Sequence, residues 1–521
     1  MRSLNSVVLV ALVGCADSPV ALPTTLQIEP AAVTVTVVDG HVVTTPYTAT
    51  VIDDDGSARD VTAQTTFGIA TAFGSFSGPT LSVTGAALGP TEVVAKFEDL
   101  TADAAITVYS RATYGDGAAL FSAPRDPSCA PAITYPTRNT IVPRGLPSFE
   151  VHWADASDDI FELALKTTYL DVRVYTRGAD ADTPFWTLVP AWDRLTAERE
   201  PIELVVTGTT EADPQSVCTS STQRVYVANE ALVGGVYWSS PVGVMRYDVA
   251  HEVTAPLLPA ASSVGVISAG DPIRCVGCSI TSDGSRIAVP GPSSVIYDIA
   301  THALVDTART WDAASFDPIG SKLVIENTGT LELITAGGDS LATISDDGVA
   351  TDPQLSPDGT QLANIETFTN GDAIVVRSFD NATNTFGDAR TLVAADATHA
   401  SPAWSPDGKW LAFTRTIGDV SSIWVVAADG SQPPIQVTLP GADYTARARW
   451  VPGSYTFGPS RFFFLTFDST QSFGQRARGT SQLWMLPFFP ATGTTAPALR
   501  MPMQDITDNY VVQWTANVVA M

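Results

Sequence analysis

The sequence predicts an all-β protein, and three observations predict it. The chain carries 38 Gly and 36 Pro among abundant Thr and Val, a mixture of turn formers and strand formers. From Leu26 onward, short runs alternate apolar and polar residues, the period of half-buried strands. Beyond residue 234 a short motif built on Asp-Gly recurs at intervals that fit a strand-rich repeat.

Composition bounds the function classes. With 521 residues, 28 Lys+Arg and 55 Asp+Glu, the net charge is −27, and Lys96, Lys166, Lys322 and Lys409 are the only lysines. At about 150 residues per domain this length suggests about three domains. An apolar fraction of 45% with only 16% charged residues excludes a solvated disordered chain. The acidity excludes nucleic acid, whose phosphates require a basic footprint, and a polybasic membrane-surface role.

The N-terminus comes next. Met1-Arg2 is a short basic start, and Val7–Val13 is an apolar run ending in Leu12-Val13-Gly14-Cys15. The run is far below the ~20 residues of a spanning helix and reads as a secretory signal over 1–15. Small residues before a cysteine resemble the bacterial lipobox. The resemblance implies a diacylated Cys15, and Ala16 in place of Asp implies delivery to the outer membrane, on its periplasmic or its outer face. Residues 16–24 read as a tether. Outside the cytoplasm, Cys129, Cys218, Cys275 and Cys278 are an even set in an oxidising compartment. Of three connectivities, Cys129–Cys218 with Cys275–Cys278 is the most local and is favoured.

Residues 25–109 read as a first β-sandwich. Its strands are expected at Leu26–Ile28, Val33–Val37, Tyr47–Val51, Leu81–Val83, Glu92–Phe97 and Ala105–Val108. Leu26-x-Ile28-x-Pro30, Asp55-Gly56-Ser57 before Asp60-Val61-Thr62, and Gly89 before Val93–Phe97 resemble a group-2 bacterial Ig-like domain, which implies a spacer or adhesive module. Asp53-Asp54-Asp55-Gly56 lacks the alternating spacing of a calcium loop and reads as a solvated hairpin turn. Residues 115–230 read as a second sandwich, loosely similar to a fibronectin-type domain. Its strands are expected at Phe149–Trp153, Tyr169–Tyr175, Phe185–Val189, Ile202–Thr207 and Gln223–Val227, with Trp153, Trp186 and Trp192 in the core. A Cys129–Cys218 bridge would tie its first strand to its last. His152, with no second ligand at metal spacing, reads as a plain strand histidine.

The repeat decides the rest. Its clear copies are Leu355-Ser356-Pro357-Asp358-Gly359 and Trp404-Ser405-Pro406-Asp407-Gly408. Weaker ones are Ile280-Thr281-Ser282-Asp283-Gly284 and Phe316-Asp317-Pro318-Ile319-Gly320, and Trp450-Val451-Pro452-Gly453 is degenerate. The leading apolar residues fall at 280, 316, 355, 404 and 450, the spacing of propeller blades of four short strands. Each copy places Pro and Asp-Gly where a tight hairpin follows a strand. The copies resemble the WD-like repeat of TolB-type propellers. Val511–Trp514 matches a first strand with no hairpin after it, whereas Val236–Ser239 and Val244–Val249 match later strands with no first. Joining them over 234–521 predicts a six-bladed ring closed between its ends. The full expectation is two β-sandwich domains followed by a six-bladed β-propeller.

Assembled catalytic motifs are not found. His41, His152, His251, His302 and His399 are scattered without zinc spacing. No G-x-S-x-G elbow is present. Cys275-Val276-Gly277-Cys278 is followed by Ser279, where a c-type haem site would have histidine, so a structural disulfide is expected and no cofactor. Aligned copies place Gly277, Ala313, Asp352, Ser401, Arg447 and Val511 at one mouth of the central channel, with Asp352, Ser401 and Arg447 as binding candidates. The expectation is a non-catalytic, monomeric, lipid-anchored envelope protein whose propeller binds a protein or glycan partner. The rivals are a glycan-active propeller enzyme with paired carboxylates, or an electron-transfer relative that has lost its haem ligand.

Overall fold

The computed structural model describes residues 24–519 except 156–157, 178–184, 260–275, 292–293, 345–348, 438–443 and 476–478. Cys15, the signal and nearly all of the tether, and Cys275 lie outside the described residues. The chain divides into two compact units, Met1–Ala112 with Thr168–Asp171, and Thr113–Thr167 with Val172–Met521. Strands dominate both, and among the described residues no helix is long and apolar enough to cross a membrane.

In the first unit, alternation along the chain becomes alternation of burial. Thr25–Glu29 buries Leu26 and Ile28, and Thr48–Ile52 buries Ala49 and Val51. These strands pair antiparallel, and Ala32–Val38 pairs in parallel with Leu100–Tyr114. One core gathers Val35, Val37, Tyr47, Leu81, Val83, Val93 and Ile106. The Asp-rich segment is a hairpin turn. Gly56 has φ +83, and the Asp55 carboxylate accepts the Ser57 amide at 2.8 Å.

The expected strands are present as Glu150–Ala154, Leu170–Arg177, Phe185–Leu188, Ile202–Thr209 and Gln223–Ala231, and Ile160–Lys166 is a further strand whose nearly continuous burial carries no alternation. Trp153 and Trp192 are buried; the Trp186 side chain lies outside the described set. Two details differ from expectation. Trp192–Ala197 is an α-helix, because Trp192 and Leu195 lie on one face and turn inward together, Trp192 meeting Phe149 edge-on at 4.3 Å. Cys129 and Cys218 are disulfide-bonded, but the bridge does not join first strand to last. It links the 3₁₀ turn Pro127–Cys129 to the short strand Val217–Thr219, with Gln223–Ala231 still to come. Cys278 is buried and disulfide-bonded.

Among the described residues from 235 onward, six antiparallel sheets follow one another. Their first strands are Tyr510–Thr515, Ser279–Ile280, Ala313–Phe316, Val349–Leu355, Thr398–Trp404 and Thr445–Trp450. The sheet that comes first in sequence, Gly235–Ser240 with Gly243–Asp248 and Val253–Pro259, receives its first strand from the far end of the chain. Hydrogen bonds then join every neighbouring pair of sheets. Phe316 N–H donates to Ser279 Oγ at 3.1 Å, and Leu355 N–H to Ser315 Oγ at 2.9 Å. The Trp404 indole donates to the Gln354 carbonyl at 3.0 Å, and that of Trp450 to the Ala403 carbonyl at 2.9 Å. Trp514 donates to Thr466 Oγ1 at 3.0 Å, and Gln513 Nε2 to the Cys278 carbonyl at 3.2 Å, completing the circuit. A closed ring of this kind is a β-propeller.

The repeat motif explains why each sheet turns where it does. Ser405 Oγ donates to Asp407 at 2.7 Å and accepts the Trp410 amide at 3.0 Å, and Gly408 takes φ +67. Ser356 and Asp358 repeat the arrangement around Gly359, φ +69. In the copy Phe316–Gly320, Asp317 replaces serine, and its carboxylate accepts the Lys322 amide at 2.9 Å. A left-handed φ without a Cβ is what glycine supplies here.

Candidate functional site

The aligned first-strand residues share a backbone irregularity that recurs from sheet to sheet. The aligned residues Asp352, Ser401, Arg447 and Val511 all adopt positive φ, at +50°, +54°, +53° and +56°, and Gly277 has φ +83. Strand register shifts at the corresponding points of these first strands, between Thr351 and Gln354, Ala400 and Ala403, and Ala446 and Arg449. Each is therefore a bulge, which re-aims a side chain at the end of a strand. For a β-branched residue such as Val511 this conformation is strained. Inter-sheet hydrogen bonds offset that cost. Ser401 N–H donates to Asp352 Oδ2 at 2.7 Å, and Arg447 N–H to Thr414 Oγ1 at 2.9 Å. Val511 N–H faces Asp468 Oδ1 at 3.5 Å. Ala313, the remaining aligned residue, is not among those with positive φ and pairs regularly with Glu326.

Three sequence-predicted residues thus lie on one rim, with distinct roles. The Asp352 carboxylate is engaged by Ser401. Arg447 forks onto Asp468, Nη2 to Oδ2 at 2.7 Å and Nε to Oδ1 at 3.0 Å. Its guanidinium also lies 5.5 Å from the ring centroids of both Tyr444 and Tyr510. Cation–π attraction of this kind holds the guanidinium against the faces of the two rings. Burial pulls the Arg447 guanidinium down, and Asp468 together with Tyr444 and Tyr510 more than reverses this, leaving its pKa raised. Burial pushes the Asp468 carboxyl above its ordinary range, and Arg447 pulls it only part of the way back.

Tyr444, Tyr510 and Asp468 escape a reading by motif. Tyr510 and Tyr444 stand just outside the aligned positions. Asp468 is a carboxylate at the end of the apolar run Phe462–Phe467, placed opposite Ala446 only by strand register. On the opposite side of the ring, Glu326 is buried and its carboxyl is pushed up by burial, with Asp312 and Asp352 adding to the shift. Among the described residues no group of three or more His, Cys, Asp or Glu could hold a metal ion. His152 lies in the strand Glu150–Ala154, fully buried, with Nε2 facing Glu150 at 2.8 Å while Nδ1 accepts the Gln475 amide at 3.1 Å.

No family model and no curated protein matches the chain. Solved structures do. TolB from Acinetobacter baumannii is 14% identical, with a TM-score of 0.39, over 60% of this chain and 79% of that one. A putative TolB from Agrobacterium tumefaciens is 13% identical, with a TM-score of 0.34, over 55% of this chain and 99% of that one. Hydrazine synthase of Kuenenia stuttgartiensis is 17% identical, with a TM-score of 0.32, over 45% of this chain and 67% of that one. At such values, binding proteins and enzymes alike resemble this chain, and none of them decides its chemistry.

Proposed function

We propose that the protein is a non-catalytic, lipid-anchored component of a bacterial cell envelope, whose six-bladed propeller binds a protein or glycan partner at the rim described above. Cys15 would carry the anchor, residues 25–109 would be an Ig-like spacer and 115–230 a second sandwich. The observation that supports this most is Arg447 held between Tyr444 and Tyr510. Tyr and Arg dominate binding hot spots because they combine large contact area with hydrogen bonding at low entropic cost. The glycan-active enzyme stays the second reading, favoured by the raised Glu326 carboxyl beside other carboxylates.

Affinity capture from intact envelopes tests the binding reading. Full-length Tyr510→Ala and Tyr444→Ala chains should each lose at least tenfold of the partner recovered by wild type, with melting temperature unchanged. Equal recovery by wild type and both variants would sink the rim as the binding surface. Glycan cleavage abolished by Glu326→Gln would replace the proposal with the enzyme reading.

A further inference from the structure

Two residues beyond each mouth position, the first strands present Ser279, Ser315, Gln354, Ala403, Arg449 and Gln513, and these line a cavity of about 260 Å³ inside the ring. The lining offers several donors that have no acceptor among the described residues. Ser279 and Ser315 accept backbone amides with their oxygens, which leaves each hydroxyl proton available. The Gln354 side chain makes no hydrogen bond within the described protein, while its carbonyl is taken by Trp404. Arg449 Nη1 donates to the Ala448 carbonyl at 2.8 Å and reaches the Ser401 carbonyl at 3.5 Å. Its Nε is buried without an acceptor.

Charge points the same way. Arg447 carries its own carboxylate, Asp468, whereas Arg449 has none within ion-pair distance among the described residues. Burial holds the Arg449 guanidinium below its ordinary pKa, with Asp352 opposing the shift at longer range. Asp317 also lines the cavity, but its oxygens are taken by the Lys322 amide and the Ser321 hydroxyl. A partly buried guanidinium whose Nε has no acceptor in the protein, beside hydroxyl and amide donors, leaves donors for an entering acceptor to satisfy.

We propose that this cavity is an anion site for a monocarboxylate, bound by Arg449 with Gln354 and the Ser279 and Ser315 hydroxyls as further donors. Arg449 is the cation of this lining and has no ion-pair partner among the described residues, so a single negative charge is what it can pair. The guanidinium offers a carboxylate oxygen a charge-assisted donor, with Nη2 free of any protein acceptor among the described residues. The site is separate from the rim residues and does not depend on the partner-binding reading. The carboxylate could be that of a small free acid or the C-terminus of a peptide entering the channel.

Trp404, Trp450 and Trp514 border the same cavity, so their fluorescence reports occupancy. The full chain is titrated with sodium acetate, N-acetylglycylglycine, N-acetylglycylglycinamide and inorganic phosphate, at ionic strength matched with sodium chloride. A saturable change with acetate or with the free-acid peptide, and none with the amide, is expected. Acetate alone identifies a free small acid; tighter binding of the peptide identifies a chain terminus. Arg449→Gln should weaken binding about tenfold or more, the loss of one charge-assisted hydrogen-bonding partner. Gln354→Ala, whose side chain supports no other part of the fold, should weaken it about threefold and keeps the test valid should Arg449→Gln fail to fold. No saturation with any probe, equal affinity in both variants, or phosphate binding tighter than the carboxylates would each overturn the proposal.

Discussion

Removing Arg447 should destabilise the ring far more at neutral than at acid pH. Its partner Asp468 is 0% exposed, while the Arg447 side chain is 24% exposed. Arg447→Ala therefore leaves a carboxylate in a site that water reaches only through the space the guanidinium vacates. Breaking a buried ion pair from one side costs about 3–5 kcal/mol, and partial hydration of the vacated space places this one near 3. At about 2–4 °C per kcal/mol for a large domain, the melting temperature of the propeller transition should fall by about 6–12 °C at pH 7.5. The sign of the pH dependence follows from Asp468. Its raised folded-state pKa, freed of the opposing Arg447, rises further. The folded variant then holds a proton that the unfolded chain releases, and stability is lost as pH rises through that pKa. Measured against wild type at each pH, the deficit should shrink markedly by pH 4.5. Asp468→Ala, which leaves the half-solvated arginine behind, should cost less. The double variant should show a coupling energy above about 1 kcal/mol in a double-mutant cycle. A deficit below about 1 °C at pH 7.5, or one equal at both pH values, would refute the assignment of the pair as a buried, mutually compensating unit.

Two other predictions follow from the packing and charge of the second unit. Asp158 is buried, its Oδ2 has no hydrogen-bond partner, and burial with the nearby Asp155 and Asp159 charges pushes its carboxyl up to about 6. A raised folded-state value contributes stability below the unfolded value of 3.8 and loses it as pH rises through about 6. Asp158→Asn should therefore stabilise at pH 7.5 by on the order of 1 kcal/mol, allowing for solvent screening, and be neutral at pH 4 in urea denaturation; a gain equal at both pH values would contradict it. Phe488 is fully buried and meets Trp410 and Trp450 edge-on at 5.2 and 5.6 Å, across two sheets. Phe488→Ala should cost about 3–5 kcal/mol and flatten the near-ultraviolet tryptophan signal, and a loss below about 1 kcal/mol would show that the sheets are not held there.

Much of the ring is legible in the sequence, and the reason is local. Gly359 and Gly408 stand where a left-handed turn demands glycine, and Ser356 and Ser405 where a hydroxyl must cap it, so the repeat announces itself. Aligning these turns also picks out Asp352, Ser401, Arg447 and Val511 as equivalent, and the shared positive φ is the backbone form of that equivalence. What the alignment leaves hidden is assembled from distant segments. Asp468, Tyr444 and Tyr510 converge on Arg447 through sheet register and ring closure, which no local pattern records. Arg449, unlike Arg447, has no carboxylate opposite it among the described residues, a distinction invisible in the run Ala446-Arg447-Ala448-Arg449. The helix Trp192–Ala197 is too short for periodicity to reveal.

The pairing of Tyr510–Thr515 with Gly235–Ser240 has a consequence for how the molecule is made. The Trp238 indole donates to Asn509 at 2.9 Å across 271 residues of chain. During synthesis every other sheet can complete itself from neighbouring segments, but this one waits for the last strand. Such long-range pairing forms more slowly than the local hairpins of the other sheets. Truncation before Asn509 would accordingly do more than shorten one sheet. It would leave the edge of Gly235–Ser240 unpaired and remove the bonds of Trp514 and Gln513 to the sheets on either side. The product would be an opened arc with strand edges able to recruit other chains.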